Sequence, residues 1–237
     1  MKIGIMQPYF FPYIGYFSLI EYVDKFIFFD TPQYISHGWV NRNRVLNQNG
    51  NPDYIIVPIK KASQETPIKD IEIADNKKWR ETIVGKLTIY KRKAPNYDIV
   101  MNFVKDVLYE SEYSNLSELN CRSIVRTCEF IGVKGDFSVF SKMNLQIGKI
   151  CAPDEWALYI TKALQGNVYV NPPGGQSFFD KEKYKSNNIK LQFLESELKP
   201  YIQRIGHFEQ GLSILDIMMF CKGNEIKDIL EDYKIIE

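Results

Sequence analysis

Lys2-IGIMQPYFFPYIGYFSLIEYVDKFIFFDTPQY-Ile35 reads as strand, loop, helix, strand. Lys2 to Met6 alternate and are β-prone. Gln7 to Tyr13, with Pro8 and Pro12, cannot be regular structure. Over Gly15 to Val23 the spacing puts Tyr16, Leu19, Ile20 and Val23 on one helical face. Phe26 to Phe29 is an unbroken apolar run, the pattern of a strand buried on both faces, and it ends on Asp30. Two short strands joined by a helix make a βαβ unit with a right-handed crossover. Ligands of such units sit beyond the carboxyl ends of the strands. Both Gln7 to Tyr13 and Asp30 to Gln33 leave from that edge, so they are expected to line a pocket.

The chain beyond that edge is Tyr34-ISHGWVNRNRVLNQNGN-Pro52. An extended backbone throws Asn41 and Asn43 to one side and Arg42 and Arg44 to the other. As a loop this aims two guanidinium groups at an anion. As a hairpin ending in the Asn-Gly turn at 49–50 it is simply solvated. Further strands are expected at Tyr54 to Ile59, Ile68 to Ile73, Phe137 to Phe140, Val168 to Val170 and Ile189 to Leu194. Helices are expected from Asn76 through Leu87, behind caps at Asp98, Asn115, Asp154, Ser213 and Asn224, and from Asp180 to Asn187. Gly132 ends the Asn115 helix. Asn171-PPGG reads either as a structural turn or as one whose backbone N–H groups at Gly174 and Gly175 approach a ligand. The whole is one domain, 1–237, of class α/β. It has a Rossmann-like, parallel-rich sheet, an N-terminal βαβ unit and a helical subdomain inserted at about 76–165.

Composition narrows the function. The formal net charge of +1 gives no global field for nucleic acid or anionic membrane. With two histidines and four cysteines in no ligand-like spacing, no metal site is expected. The cysteines read as buried thiols of a reducing compartment. No targeting segment or long apolar run is evident, so the protein is expected to be cytoplasmic, without a membrane segment. HExxH, Walker A, GxGxxG and Ser-His-Asp patterns are missing from the sequence. The polar candidates on the pocket edge are Gln7, Tyr9, Tyr13, Tyr16, Asp30, Gln33, His37, Trp39, Asn41, Arg42, Asn43 and Arg44. Gln7, Tyr13, Asp30 and Arg42 are expected to converge on one cleft.

Two resemblances add to this. Tyr13-Ile14-Gly15-Tyr16 occupies the place of the His-x-Gly-His signature of HIGH-superfamily nucleotidyltransferases, with tyrosine for both histidines. Gly15 fits a backbone that approaches phosphate at a helix N-terminus. More specifically, Gln7-PYFFPYIGYFSLI-Glu21 and Asp30-TPQYISHGWVNRNR-Val45 resemble the WbqC-like family of bacterial proteins. So do Asn171-PPGGQSFFD-Lys181, Ile189-KLQFL-Glu195 and Leu212-SILDIMMF-Cys221.

That resemblance implies a role in polysaccharide biosynthesis, including lipopolysaccharide O-antigen. The expected activity is an N-acyltransferase, for example a glycyl or other aminoacyltransferase, acting on the amine of a nucleotide-linked dideoxyamino sugar. In this reading His37, or Asp30 in its stead, takes the amine proton. Arg42 and Arg44 hold a pyrophosphate, and Tyr9, Tyr13 or Tyr16 stacks on a base or sugar. The acyl donor is an acyl-adenylate made from ATP plus an amino acid, an aminoacyl-tRNA that uses the basic stretch at Lys86 to Lys93, or a thioester. The alternative is an accessory protein of the same pathway that binds a nucleotide sugar without turnover.

Overall fold

A computed structural model describes the chain apart from residues 76, 77, 111, 205 and 206. Strand β1 (Lys2–Met6) runs parallel to β2 (Lys25–Phe28) on one side, with Ile3 against Lys25 and Met6 against Phe28. Between them lies α1 (Ile14–Tyr22), which is apolar almost all round and buried from Ile14 to Ile20, as befits a helix packed on several sides. Gly4 lets this packing close, because a Cβ there would lie 3.2 Å from both Val23 and Phe26.

The chain then leaves the sheet for a long excursion. It forms the antiparallel hairpin β3 (Arg42–Leu46) and β4 (Pro52–Ile56). Helices α2 (Trp79–Leu87), α3 (Tyr97–Tyr109) and α4 (Leu116–Ile131) follow. It returns as β5 (Phe137–Val139), parallel to β2. After α5 (Glu155–Ala163), β6 (Val168–Asn171) pairs with the free side of β1. Helix α6 (Lys181–Ser186) leads to β7 (Lys190–Ser196), parallel to β6. Helices α7 (Ile214–Phe220) and α8 (Gly223–Leu230) precede β8 (Tyr233–Ile236), antiparallel to β7. The spatial order is β5-β2-β1-β6-β7-β8.

Helices cover both faces of this Rossmann-like sheet. Alternation in β2 sends Phe26 and Phe28 into a large core shared with α1, the hairpin, α2–α4, α7 and α8. It sends Ile27 and Phe29 into a smaller one under α5 and α6. A strand buried on both sides explains the unbroken apolar run, and each such side chain contributes about 1.5–3 kcal/mol.

Several sequence expectations change here. Ile68–Asp70 is a 3₁₀ turn, not a strand, and only Ile73 bridges back to Ile59. The α3 cap position is Asn96 rather than Asp98, and that of α8 is Lys222 rather than Asn224. The expected helix start at Asn76 lies outside the described residues. The segment read as a helical insertion contains β5, a member of the central sheet, and α2–α4 share the core of α1, so these helices are built into the main packing. Among the described residues, no helix is long and apolar enough to cross a membrane.

Candidate functional site

From β1 the chain runs outward to β2 and β5, then returns past β1 to β6 and β7. The reversal opens a crevice between the carboxyl ends of β1 and β6, the ligand position of open α/β sheets. A hollow of about 730 Å³ lies there. Met6, Gln7 and Tyr9 line it from the β1 side, Phe29, Thr31 and Gln33 from β2. Asn171, Gly174 and Gly175 line it from β6, with Trp156 of α5 and the Phe178–Phe179 pair opposite.

The loop after β1 is buried, irregular and proline-broken, so its carbonyls need partners from elsewhere. Tyr16 Oη donates to Gln7 O at 3.0 Å, and Asn120 Nδ2 to Pro8 O at 2.9 Å. Asn43 Nδ2 donates to both Phe10 O and Phe11 O, at 3.1 and 2.8 Å. Ser213 Oγ also donates to Phe11 O, and Ile214 N to Pro12 O. Phe11 itself sits at φ 39°. The adjoining helix α1 and three distant elements thus hold the segment that aims Gln7 and Tyr9 into the hollow.

The β6 wall is fixed locally. Asn171 Oδ1 accepts from Tyr169 Oη at 2.9 Å, while its Nδ2 donates to Pro172 O at 3.0 Å. Gly175 lies against that amide, for a Cβ there would be 2.5 Å from Asn171 Nδ2. A Cβ on Gly174 would meet open space. Burial pushes the Tyr9 and Tyr13 phenols above their ordinary range, the Tyr13 charge adding to the shift of Tyr9. Burial also raises Tyr169. The Tyr9 and Tyr169 phenols of the lining therefore serve as donors at neutral pH, not as bases. Lining residues are apolar, aromatic or neutral polar, with no Asp, Glu, Lys, Arg or His among those described.

The WbqC-like protein family matches residues 7–228, from the start of this loop to α8. The chain belongs to that family. This WbqC-like chain is also similar to the uncharacterized protein Rv1507c of Mycobacterium tuberculosis, 28% identical over 231 residues, 97% of each chain. No solved structure matches.

Of the residues singled out in the WbqC-like sequence, Gln7, Tyr9, Gln33, Asn171, Gly174 and Gly175 meet at the hollow. Asp30 does not. It follows Phe29 in an alternating strand end and faces the opposite side, where Ser141 N and Oγ donate to it at 3.0 and 2.6 Å. Tyr16 is 1% exposed, in the core beneath the loop, and positions Gln7 O instead of touching a ligand. The Tyr13 ring lies over Gly15, whose Cβ would sit 2.5 Å from that ring and 2.6 Å from Ser196 Oγ; close packing accounts for this glycine.

The hairpin cluster is also committed elsewhere. Arg42 donates to the His37 and Gly38 carbonyls and stacks on Tyr54. Arg44 donates to Gly211 O and lies over Trp39. Asn41 accepts from Tyr34 and donates to Val57 O. His37 sits at φ 64° in an exposed turn, its carbonyl taken by Arg42. Neither His37, Trp39 nor the Asn41–Arg44 run lines the hollow, so the four-residue convergence expected from the sequence does not form. Thr31 falls within the Asp30 to Gln33 stretch expected at this edge, but Trp156, Phe178 and Phe179 were missed. Thr31 is legible in principle, as the alternate of Phe29 at the strand end, whereas Trp156 arrives on a helix far along the chain.

Proposed function

We propose that this WbqC-like protein binds a nucleotide-linked amino sugar in the hollow between β1 and β6 and acylates its amine. The observation that carries this reading is the charge-free, amide-and-aromatic lining at the topological switch point. The hollow's volume of about 730 Å³ falls in the range of small-molecule sites. Gln7 and Asn171 offer amide groups to sugar hydroxyls, and Tyr9, Trp156 and Phe178 offer apolar faces to a sugar ring or base. The turn at Gly174 and Gly175 lets backbone approach a phosphate, a role that Arg42 and Arg44 are too engaged to fill.

The lining also bears on the nucleophile. An ammonium taken into an apolar hollow loses hydration, which favours the neutral amine. The amine nitrogen then attacks the acyl carbonyl carbon. A C–N bond forms, the bond to the donor's leaving group breaks, and the amine proton leaves with water or that group. No imidazole at the site is needed, in keeping with the distance of His37 from the lining. Neutral donors such as the Gln7 amide and the Tyr9 hydroxyl are suited to the developing oxyanion.

The test is mass spectrometry of a nucleotide-linked dideoxyamino sugar incubated with the protein, ATP and glycine. Parallel arms replace ATP and glycine by glycyl-tRNA or a glycyl thioester. A mass gain of one glycyl group in any arm is the expected result. The same lining favours one other reading, because it places no ordinary proton-transfer group at the site: a binder of nucleotide sugars that performs no turnover. A thermal shift with the sugar nucleotide and no product in any arm supports that reading. Absence of both effects removes the site from consideration.

A further inference from the structure

A second hollow, of about 540 Å³, opens on the opposite face of the same sheet edge, between β2, β5 and the first turns of α4. Its floor is apolar, built from Phe28, Val125, Phe137 and Val139. Unlike the first hollow, its walls carry charge of both signs. Asp30, Asp70 and Glu118 face Lys69, Arg122 and Lys142.

Hydrogen bonds within the protein already use part of that charge. Asp30 accepts twice from Ser141, and Glu118 twice from Ser114, so each carboxylate keeps lone pairs for a further donor. Those Ser114 bonds hold the Glu118 carboxyl below its usual range, with the Lys142 charge a smaller aid. Arg122 gives Nε and Nη2 to Glu110, leaving a third nitrogen. Lys69 pairs with Asp70 at 3.3 Å. Lys142 closes no ion pair among the described residues. Cys121, at the base, is no nucleophile: burial pushes its thiol up to about 12.

From this we infer that the second hollow binds a small zwitterion, an α-amino acid, with its carboxylate at Lys142 and Arg122, its ammonium at Asp30 or Glu118 and its side chain on the Phe28–Phe137 floor. Three carboxylates in the wall disfavour a simple anion, and three cations disfavour a simple amine. A ligand bearing both groups on a short apolar body satisfies both sets. The inference rests on the proposed acyl transfer only for its purpose, in giving the aminoacyl component its own place. Phe28 and Asp30 face this hollow, while Phe29 and Thr31, alternate residues of the same strand end, face the other. The two ligands would flank the carboxyl end of β2.

Calorimetry on the full chain, with glycine and leucine as probes, tests this. Wild type is expected to bind at least one of them at millimolar concentration. Lys142→Glu, a change at an exposed position, should weaken binding at least about tenfold, the effect of losing one charge-assisted contact. Val125→Trp, which fills the floor, should abolish it. Gly174→Trp, on the rim of the first hollow, should leave amino-acid binding unchanged while removing that of the nucleotide sugar. No binding of either probe to wild type overturns the inference. So does binding that survives Lys142→Glu and Val125→Trp but is lost in Gly174→Trp; the amino acid would then occupy the first hollow and the sugar reading would stand. Amino-acid binding with the expected pattern, but no sugar-nucleotide binding, leaves this inference intact and removes the other.

Discussion

Asp216 is fully buried in the first turn of α7, yet it is surrounded by donors. Tyr90 Oη, Tyr201 Oη and Gln203 Nε2 all point at its carboxylate. Burial pushes its carboxyl above the ordinary aspartate value of 3.8, and the bonds from Tyr201, Tyr90 and Gln203 pull part of that back. In the window between the unfolded and folded values the native state holds more protons than the unfolded chain. Stability from this group is therefore fullest below 3.8 and declines as pH rises through the folded value. The expected outcome is that wild type loses ground to Asp216→Asn as pH is raised, read from urea midpoints at several pH values. Carboxylates held low by partners, such as Glu118 and Asp75, move the other way but cancel in this difference. A difference that grows with pH would mean that the three donors outweigh burial. The same scale decides the Asn-Arg-Asn-Arg run. Extended geometry puts Asn43 inward, where it clamps two loop carbonyls, and leaves Arg42 and Arg44 on the outer side bracing neighbouring turns.

Helix α4 shows an element whose ends are written locally. Asn115 Oδ1 accepts from Glu118 N at 2.9 Å, and Glu118 returns to Ser114 N and Oγ. Gly132 closes the other end at φ 79°, with its N–H on Cys128 O. A Cβ there would meet nothing within 4 Å, so substitution acts through the backbone alone. Gly132→Ala should cost about 1–2 kcal/mol, the penalty of a left-handed residue with a side chain. Asn115→Ala should cost about 1 kcal/mol by loss of the cap. Equilibrium urea unfolding measures both, and a cost near zero for Gly132→Ala would show that the turn relaxes. The segment Ile68 to Ile73 behaves differently. Its alternation reads as a strand, but the Ile68 and Lys69 N–H groups bond to Pro32 O and Asp30 O. Partners distant in sequence wind it into a 3₁₀ turn.

At the scale of the whole molecule, one sheet separates two cores and, at its carboxyl edge, two hollows. Trp79 belongs to the large core and Trp156 packs on the small one. If α2–α4 are integral to the fold, as their shared core with α1 implies, both tryptophans should report one transition. Variants that keep only Trp79 or only Trp156 should show the same urea midpoint by fluorescence, coincident with far-ultraviolet circular dichroism. An earlier transition at Trp79 would instead mark residues 79–131 as a unit that unfolds by itself.

The sequence by itself determined the βαβ unit, the α/β class, the edge from which the pocket opens and the caps of α4. These follow from hydrophobic period, proline placement and side chains that bond their own neighbours, all local in the chain. It also brought Gln7, Tyr9, Gln33, Asn171, Gly174 and Gly175 forward, because residues leaving the strand ends share one edge. Only the tertiary structure decided which face of that edge each residue serves. A shift of one position along a strand reverses the face, so Asp30 and Thr31 part company across the sheet. It alone revealed that Asn43, Tyr16, Asn120 and Ser213 hold the loop after β1, since a buried irregular backbone takes its partners from wherever the fold brings them.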